Sequence, residues 1–262
     1  MRRTLAPFGR RLSKVVATER LGAYDFITAE DAEGPADPRP GQFYMLATEE
    51  AWGAGESERP YLPRAFSFAR VTDGPRLSFL LEAIGPGTER LSQLKAGDGL
   101  WLTGPLGIGF APPEDGTRPL LVGGGIGAAP LLCWQDELGP DTRVLLGFRS
   151  SAHAEAASLF AGEPSIATDD GSVGHEGFVT ELLREELDQS TVYACGPPPM
   201  LEAVRALCAE RDIPAQLALE SGMACGFGAC FGCVVPTKNG YVRLCVDGPV
   251  LEAARLEGVS SH

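Results

Sequence analysis

Four cysteines near the C-terminal end, Cys225, Cys230, Cys233 and Cys245, stand in the spacing C-x4-C-x2-C-x11-C. Four thiolates must converge on a small Fe₂S₂ core, so three of them are best supplied by one tightly folded loop, and the run MACGFGACFGC offers such a loop. Gly226, Gly228 and Gly232 lie between the ligands. Glycine can take positive φ there and let backbone N–H groups face the sulfurs. Those N–H dipoles offset the negative charge of a cluster and help set its potential. The order C-x4-C-x2-C…C is the plant-type 2Fe–2S pattern, here with a short run to the fourth Cys that implies a compact module. A structural Cys₄ zinc site is the competing reading. Zinc sites usually pair two short C-x2-C clips, whereas here three Cys share one loop and the fourth stands alone. The Cys total is seven, an odd count, and no secretion signal precedes it. Metal ligation in a reducing cytoplasm is therefore expected over disulfides. Cys133 and Cys208 lie in helical apolar patterns and are expected in the core.

A second constellation is rich in glycine. Leu120-Leu121-Val122 reads as a short buried strand running into Gly123-Gly124-Gly125-Ile126-Gly127, after which a helix begins. That arrangement lets backbone N–H groups and a helix start meet a pyrophosphate, although a tight strand–helix turn would need the same residues. Tyr193-Ala194-Cys195-Gly196-Pro197 ends a later strand, with Pro199-Met200 opening a helix, and Thr168-Asp169-Asp170-Gly171-Ser172 follows a third strand. Open parallel sheets bind ligands outside the carboxyl ends of their strands. All three segments fall at that edge, so a nicotinamide nucleotide is expected on Gly123, Gly124, Gly125, Gly127, Asp169, Gly196 and Pro197. In the N-terminal part, Arg64-Ala65-Phe66-Ser67 could pair a pyrophosphate, stack a ring and hydrogen-bond a flavin atom. Gly87-Thr88 precedes a predicted helix and offers an anion site. Taken alone, these two are also what an ordinary surface strand and helix start look like.

The elements that must position these groups change character along the chain. Residues 1–112 read as short strands at Ser13–Thr18, Tyr24–Thr28, Gln42–Ala47, Arg64–Arg70, Leu77–Ile84 and Gly99–Leu102, with one helix at Thr88–Leu94. Turn clusters such as Pro40-Gly41 and Gly97-Asp98-Gly99 separate them, as in an antiparallel barrel. Residues 113–219 alternate strand and helix, which predicts a parallel sheet: helices Pro130–Leu138, His153–Leu159, Val179–Glu186 and Pro199–Arg211, with strands Arg143–Phe148, Ser165–Thr168, Thr191–Ala194 and Ala215–Leu219. Residues 220–262 form the Cys-rich tail. The loop Glu49–Glu58 is polar and Gly-rich and is expected to be exposed.

The net charge is −13, with 44% hydrophobic and 22% charged residues. A sizeable core is possible, and an acidic surface argues against nucleic acid as a partner. No apolar run is long enough for a membrane helix, and the basic start MRRTLAPFGRRLSKVV lacks the apolar core of a signal peptide. Three His occur, at 153, 175 and 262, and no HExxH, GxSxG or P-loop is present. Absence of a nucleophile–base arrangement fits an electron conduit, in which cofactors supply the chemistry and the protein positions them.

With these residues in place, the order barrel, R-x-x-S, G-T, GGG-x-G and CGP-x-x-M resembles the ferredoxin reductase superfamily. The run ESGMACGFGACFGCVV…YVRLCVDGPV, with GPLGIGF at 104–110, is similar to the electron-transfer subunits of class 1B dihydroorotate dehydrogenases. The resemblance covers nearly the whole chain. It implies FAD in the barrel, NAD in the α/β domain and 2Fe–2S in the tail. It also implies an FMN-containing catalytic subunit that oxidises dihydroorotate, assembled as a cytoplasmic heterotetramer. Electrons would pass from that FMN through 2Fe–2S and FAD to NAD⁺, in pyrimidine biosynthesis. Carried over, the FAD site is Arg64, Ala65, Phe66, Ser67, Leu80, Leu81, Glu82, Gly87 and Thr88, with Ser67 near the flavin N5 and Cys195 near the nicotinamide. Glu220 would border the flavin or the partner.

Three departures stand out. Arg-Ala-Phe-Ser replaces R-P-x-S or R-x-Y-S, so Phe66 lacks a hydroxyl. Glu220-Ser221-Gly222 replaces Glu-Glu-Arg. Arg149 follows a strand where it could meet an NADP 2′-phosphate. A related subunit of a hydrogenase or of a ferredoxin:NADP⁺ reductase is the second reading, and a redox-inactive, zinc-stabilised nucleotide module the third.

Overall fold

The computed structural model describes residues 9–53, 60–72 and 75–259. Residues 1–8 of the basic start, residues 54–58 of the Glu49–Glu58 loop and His262 lie outside them. The first half is a curled antiparallel sheet built from β1 (Arg11–Leu21), β2 (Tyr24–Glu30), β3 (Phe43–Thr48), β4 (Arg64–Ser67), β5 (Arg70–Thr72), β6 (Arg76–Leu81) and β7 (Gly99–Leu106), with α1 (Pro86–Ser92) after β6. The strand order is β4-β3-β7-β1-β2-β6-β5. The run expected as one strand from Arg64 to Arg70 is two, because Phe68 and Ala69 turn into the core and the chain crosses to pair with β6. β3 is buried on both faces. Tyr44 and Leu46 face the barrel interior, while Phe43 and Met45 join the core shared with the second half.

The second half contains β8 (Arg118–Gly124), α2 (Ala128–Leu138), β9 (Arg143–Phe148), α3 (Ser151–Ala154), β10 (Ser165–Thr168), β11 (His175–Glu176), α4 (Val179–Glu186), β12 (Ser190–Cys195), α5 (Pro198–Glu210) and β13 (Ala215–Ala218). β8, β9, β10, β12 and β13 are parallel. Helices cover both faces, which explains why Leu120–Val122 and Val192–Ala194 are continuous apolar runs rather than alternating ones. In α5 the buried residues Leu201, Val204, Leu207 and Cys208 form one stripe, and the prolines at its start need no intrahelical donor. The helix expected at His153–Leu159 is a single α-turn, α3, followed by a 3₁₀ stretch at Glu155–Leu159.

The tail adds the hairpin β14 (Val234–Thr237) and β15 (Gly240–Arg243), then α6 (Leu244–Asp247) and β16 (Val250–Glu252). β16 pairs antiparallel with β13 and becomes the edge of the α/β sheet, so the Cys-rich segment leaves that sheet and returns to it. Barrel and sheet are joined by Arg70, which donates to Asp136 at 2.7 Å, by the Ala23 N–H to Ala152 O bond at 2.9 Å, and by a continuous core containing Phe43, Met45, Leu106, Val122 and Leu217. Among the described residues, no helix is long and apolar enough to cross a membrane.

Candidate functional site

The cysteine hook leaves β13 at Leu219 and folds around two pairs of thiols. Cys233 and Cys245 are buried, with their sulfurs 3.2 Å apart, and the Cys245 N–H points at the Cys233 sulfur at 3.4 Å. Cys225 pairs with Cys230 in the outer part of the loop, where Cys230 is exposed and accepts the Gly232 N–H at 3.4 Å. Desolvation pushes the Cys225 thiol up. It is outweighed by the N–H groups of Cys230, Phe227 and Ala229 and by the Cys230 thiol, so Cys225 lies at about 6. Burial first, and then the neighbouring Cys233, push Cys245 up to about 12. One tetrahedral ion would need all four sulfurs around a single centre. Two pairs, each able to serve one iron, suit a two-iron core. Gly226 and Gly228 have φ of +76° and +87°, the left-handed turns that bend the loop around. Phe231 is also left-handed, at φ +60°, a conformation that costs a non-glycine residue about 1 kcal/mol.

This hook sits on the barrel. A Cβ at Gly226 would lie 2.8 Å from Met45 Cγ and 2.9 Å from Leu106 Cδ1, so only glycine lets the loop approach β3 so closely. Met45 is registered opposite Ala65 and Phe43 opposite Ser67. The pleat therefore puts Ala65 and Ser67 on the face of β4 that looks toward the hook, and Arg64 and Phe66 on the other. Phe66 packs partly against the barrel core. Arg64 donates to Leu62 O at 2.7 Å, lies over the Trp52 ring at 5.8 Å, and passes so close to Gly87 that a Cβ there would be 2.6 Å from its Nε. Gly87 thus makes room for a guanidinium above the α1 turn, and an anion there would meet a fixed cation. The Thr88 hydroxyl is engaged within that turn, accepting the Ile84 and Gly85 N–H groups. Leu80 and Leu81 are wholly buried, so only their backbone groups can face a ligand.

Glu82, just after β6, bonds Arg149 just after β9, and His153 Nε2 lies 3.4 Å from the same carboxylate. Arg149 is therefore paired with a carboxylate from the barrel. Ser150 Oγ meets His153 Nδ1 at 2.9 Å, and the ring stands edge-on to buried Tyr24. This bridge across the mouth between the two halves was not legible in the sequence, because its members are far apart along the chain.

At the sheet edge the glycine run and the CGP turn press on each other. A Cβ at Gly127 would lie 2.3 Å from Cys195 O, one at Gly124 2.5 Å from Met200 Sδ, and one at Gly196 3.1 Å from Gly124 Cα. Gly123 backs onto Leu146 and Leu131. Gly125 alone of the four opens into space, with φ +54° and a Cβ there 3.7 Å from its nearest neighbour, Tyr24 Oη. Pro197 caps the start of α5. Burial holds the Cys195 thiol well above its ordinary value, so it is neutral and not a nucleophile. Asp169 is exposed at the end of β10, and beside it Asp170 accepts the Ser172 N–H and hydroxyl.

The model of the iron–sulfur cluster binding domain of dihydroorotate dehydrogenase B matches residues 220–257, the hook and its return to the sheet. Over the whole length, the chain is 36% identical across 240 residues to the "Dihydroorotate dehydrogenase B (NAD(+)), electron transfer subunit" of Clostridium acetobutylicum, covering 91% of this chain and 94% of that one. The chain belongs to this family. The protein of the same description from Caldanaerobacter subterraneus subsp. tengcongensis is 37% identical over 247 residues, covering 92% and 96%. The fold is that of an NADH-dependent reduced ferredoxin-NADP oxidoreductase, with TM-score 0.78 and 23% identity over 96% of this chain and 92% of that one. A ferredoxin reductase of carbazole 1,9a-dioxygenase is also similar, with TM-score 0.64 and 25% identity over 77% and 65%. As a member of the dihydroorotate dehydrogenase B electron-transfer family, the chain is an oxidoreductase subunit carrying an iron–sulfur domain. Family membership favours this over both the hydrogenase-type and the zinc-module readings.

Proposed function

We propose that this chain carries electrons from a catalytic subunit that oxidises dihydroorotate with FMN to NAD⁺, through a 2Fe–2S cluster in the hook and FAD against the barrel. The single observation that carries this reading is the close approach of the cysteine loop, at Gly226, to Met45, whose register partner is Ala65 of the Arg64–Ser67 strand. Cys225, Cys230, Cys233 and Cys245 hold the cluster. When bound, the flavin exchanges a hydride with nicotinamide and single electrons with the iron–sulfur centre. Arg64 and the Gly87 backbone bind the FAD pyrophosphate, with Ala65, Phe66 and Thr88 shaping its seat. Ser67 orients the ring by a hydrogen bond, and the backbone of Leu80, Leu81 and Glu82 lines the far edge. On the other side of the cleft Gly123, Gly124, Gly125, Gly127, Gly196 and Pro197 form the floor for NAD, with Asp169 beside its ribose. The neutral Cys195 thiol packs near the nicotinamide and excludes water. The working assembly is a cytoplasmic heterotetramer with the catalytic subunit.

The test is anaerobic reduction of the purified chain by NADH and by NADPH, followed optically, together with iron and acid-labile sulfide analysis. Two irons and two sulfides per chain, with flavin bleaching by NADH, are expected. Absence of iron and sulfide would remove the cluster, and failure of either nucleotide to bleach the flavin would remove the nicotinamide assignment. Co-purification with a dihydroorotate-oxidising FMN protein tests the partner.

A further inference from the structure

We propose that Arg243 is a positioning residue for the iron–sulfur centre, clasping the hook on both sides of Cys230 and fixing a positive charge beside the thiolates. This rests on the reading that the four cysteines hold a cluster. Arg243 ends β15, two residues before Cys245. Its Nη1 donates to Gly228 O at 2.9 Å, and its guanidinium carbon lies 5.2 Å from the centre of the Phe231 ring. Gly228 and Phe231 flank Cys230, the exposed member of the four. One side chain therefore spans the least protected ligand from both sides.

Local geometry is arranged around this contact. A Cβ at Gly228 would lie 2.6 Å from Val246 Cγ2 and 3.2 Å from Arg243 Nη1, so glycine there lets the loop lie between Val246 and the guanidinium. Phe231 holds a left-handed backbone that its residue type disfavours, and the cation over its ring helps to hold it. Behind the clasp, Asp247 accepts the Arg243 backbone N–H at 2.9 Å and stands 4.0 Å from Nε, which aims the fork toward the loop. Four thiolates around two irons carry net negative charge, which grows when the centre accepts an electron. A nearby guanidinium favours the reduced form, and the Asp247 carboxylate, 4.0 Å from Arg243 Nε, offsets part of that effect. A lysine keeps the charge but cannot hold a carbonyl and cover a ring with the planar fork of an arginine.

The experiment compares the full-length, cofactor-loaded chain with Arg243→Met, Arg243→Lys and Phe231→Gly. The cluster potential is measured by equilibration with a dye of known potential, and cluster stability as the rate of absorbance loss in the presence of a chelator. Arg243→Met is expected to lower the potential and to lose iron about tenfold faster. Arg243→Lys should stay near the wild-type potential and lose iron at an intermediate rate. Phe231→Gly should keep the wild-type potential, since it removes backbone strain and leaves the charge. A Met variant that assembles no cluster beside a Lys variant that does also supports the clasp. The proposal is overturned if the Met variant keeps both the wild-type potential and the wild-type rate, if neither Arg243 variant assembles a cluster, or if Phe231→Gly shifts the potential as far as Arg243→Met. A wild-type chain without iron would instead sink the cluster reading on which the proposal rests.

Discussion

The chain has two glycine-rich segments, and they use glycine for different purposes. At the sheet edge, Gly124, Gly127 and Gly196 have no room for a Cβ, because the backbone or a packed side chain of the opposing turn already occupies the space. Their φ values are unremarkable and their role is close approach. In the hook, Gly226 and Gly228 are left-handed and bend the chain back on itself, so a conformational role is added to their close approach to Met45 and Val246. Similar composition thus builds a rigid floor in one place and a bent wrapper in the other, and the two should respond differently to an added methyl group.

The largest effect is expected from Gly127→Ala. The new methyl group meets a carbonyl oxygen fixed by β12, so stability should fall by about 3 kcal/mol, read as a drop in thermal midpoint with loss of NADH-driven flavin reduction. Gly226→Ala comes next. It combines a positive φ with contact to Met45, whose flexible side chain can yield, so about 2 kcal/mol is expected. Iron content should fall while NADH still bleaches the flavin, and equal loss of flavin and iron would show that hook and barrel do not respond separately. Gly125→Ala isolates backbone strain at the floor, because open space surrounds it. A cost of about 1 kcal/mol is expected, with a raised KM for NADH and unchanged iron. Gly232→Ala should be the mildest. Its φ is not left-handed and its Cβ would sit 3.5 Å from Cys230 Sγ, so stability should stay within about 0.5 kcal/mol of wild type. A large iron loss in that variant would mean that the outer thiol pair tolerates no added bulk.

What the sequence reveals follows the range of the interactions. The four cysteines, the strand at Ser165–Thr168 and the helix at Val179–Glu186 are local patterns, and they are readable without a fold. The three-residue strand β16 has no pattern of its own. It exists because β13 offers an unpaired edge after the chain has turned around the hook. The resemblance puts Glu82 in the FAD site, but its pairing with Arg149 and His153 arises only when folding brings them beside it. The same holds for Arg243, whose partners Gly228 and Phe231 lie across the loop. For Phe66 the strand was legible but not the direction of the ring, because the face it presents is set by the register of β3 against β4.

The pairing of β16 with β13 has a consequence for how this electron port can be altered. The hook is an excursion between two hydrogen-bonded neighbours, with Leu219 N–H donating to Pro249 O at its base. Its ends are tied by the sheet rather than by iron, so its closure entropy is met by strand pairing before any metal arrives. Swapping the excursion for a foreign one of similar span is therefore a tractable graft, whereas shortening the chain at residue 219 would strip a sheet edge bare and invite aggregation.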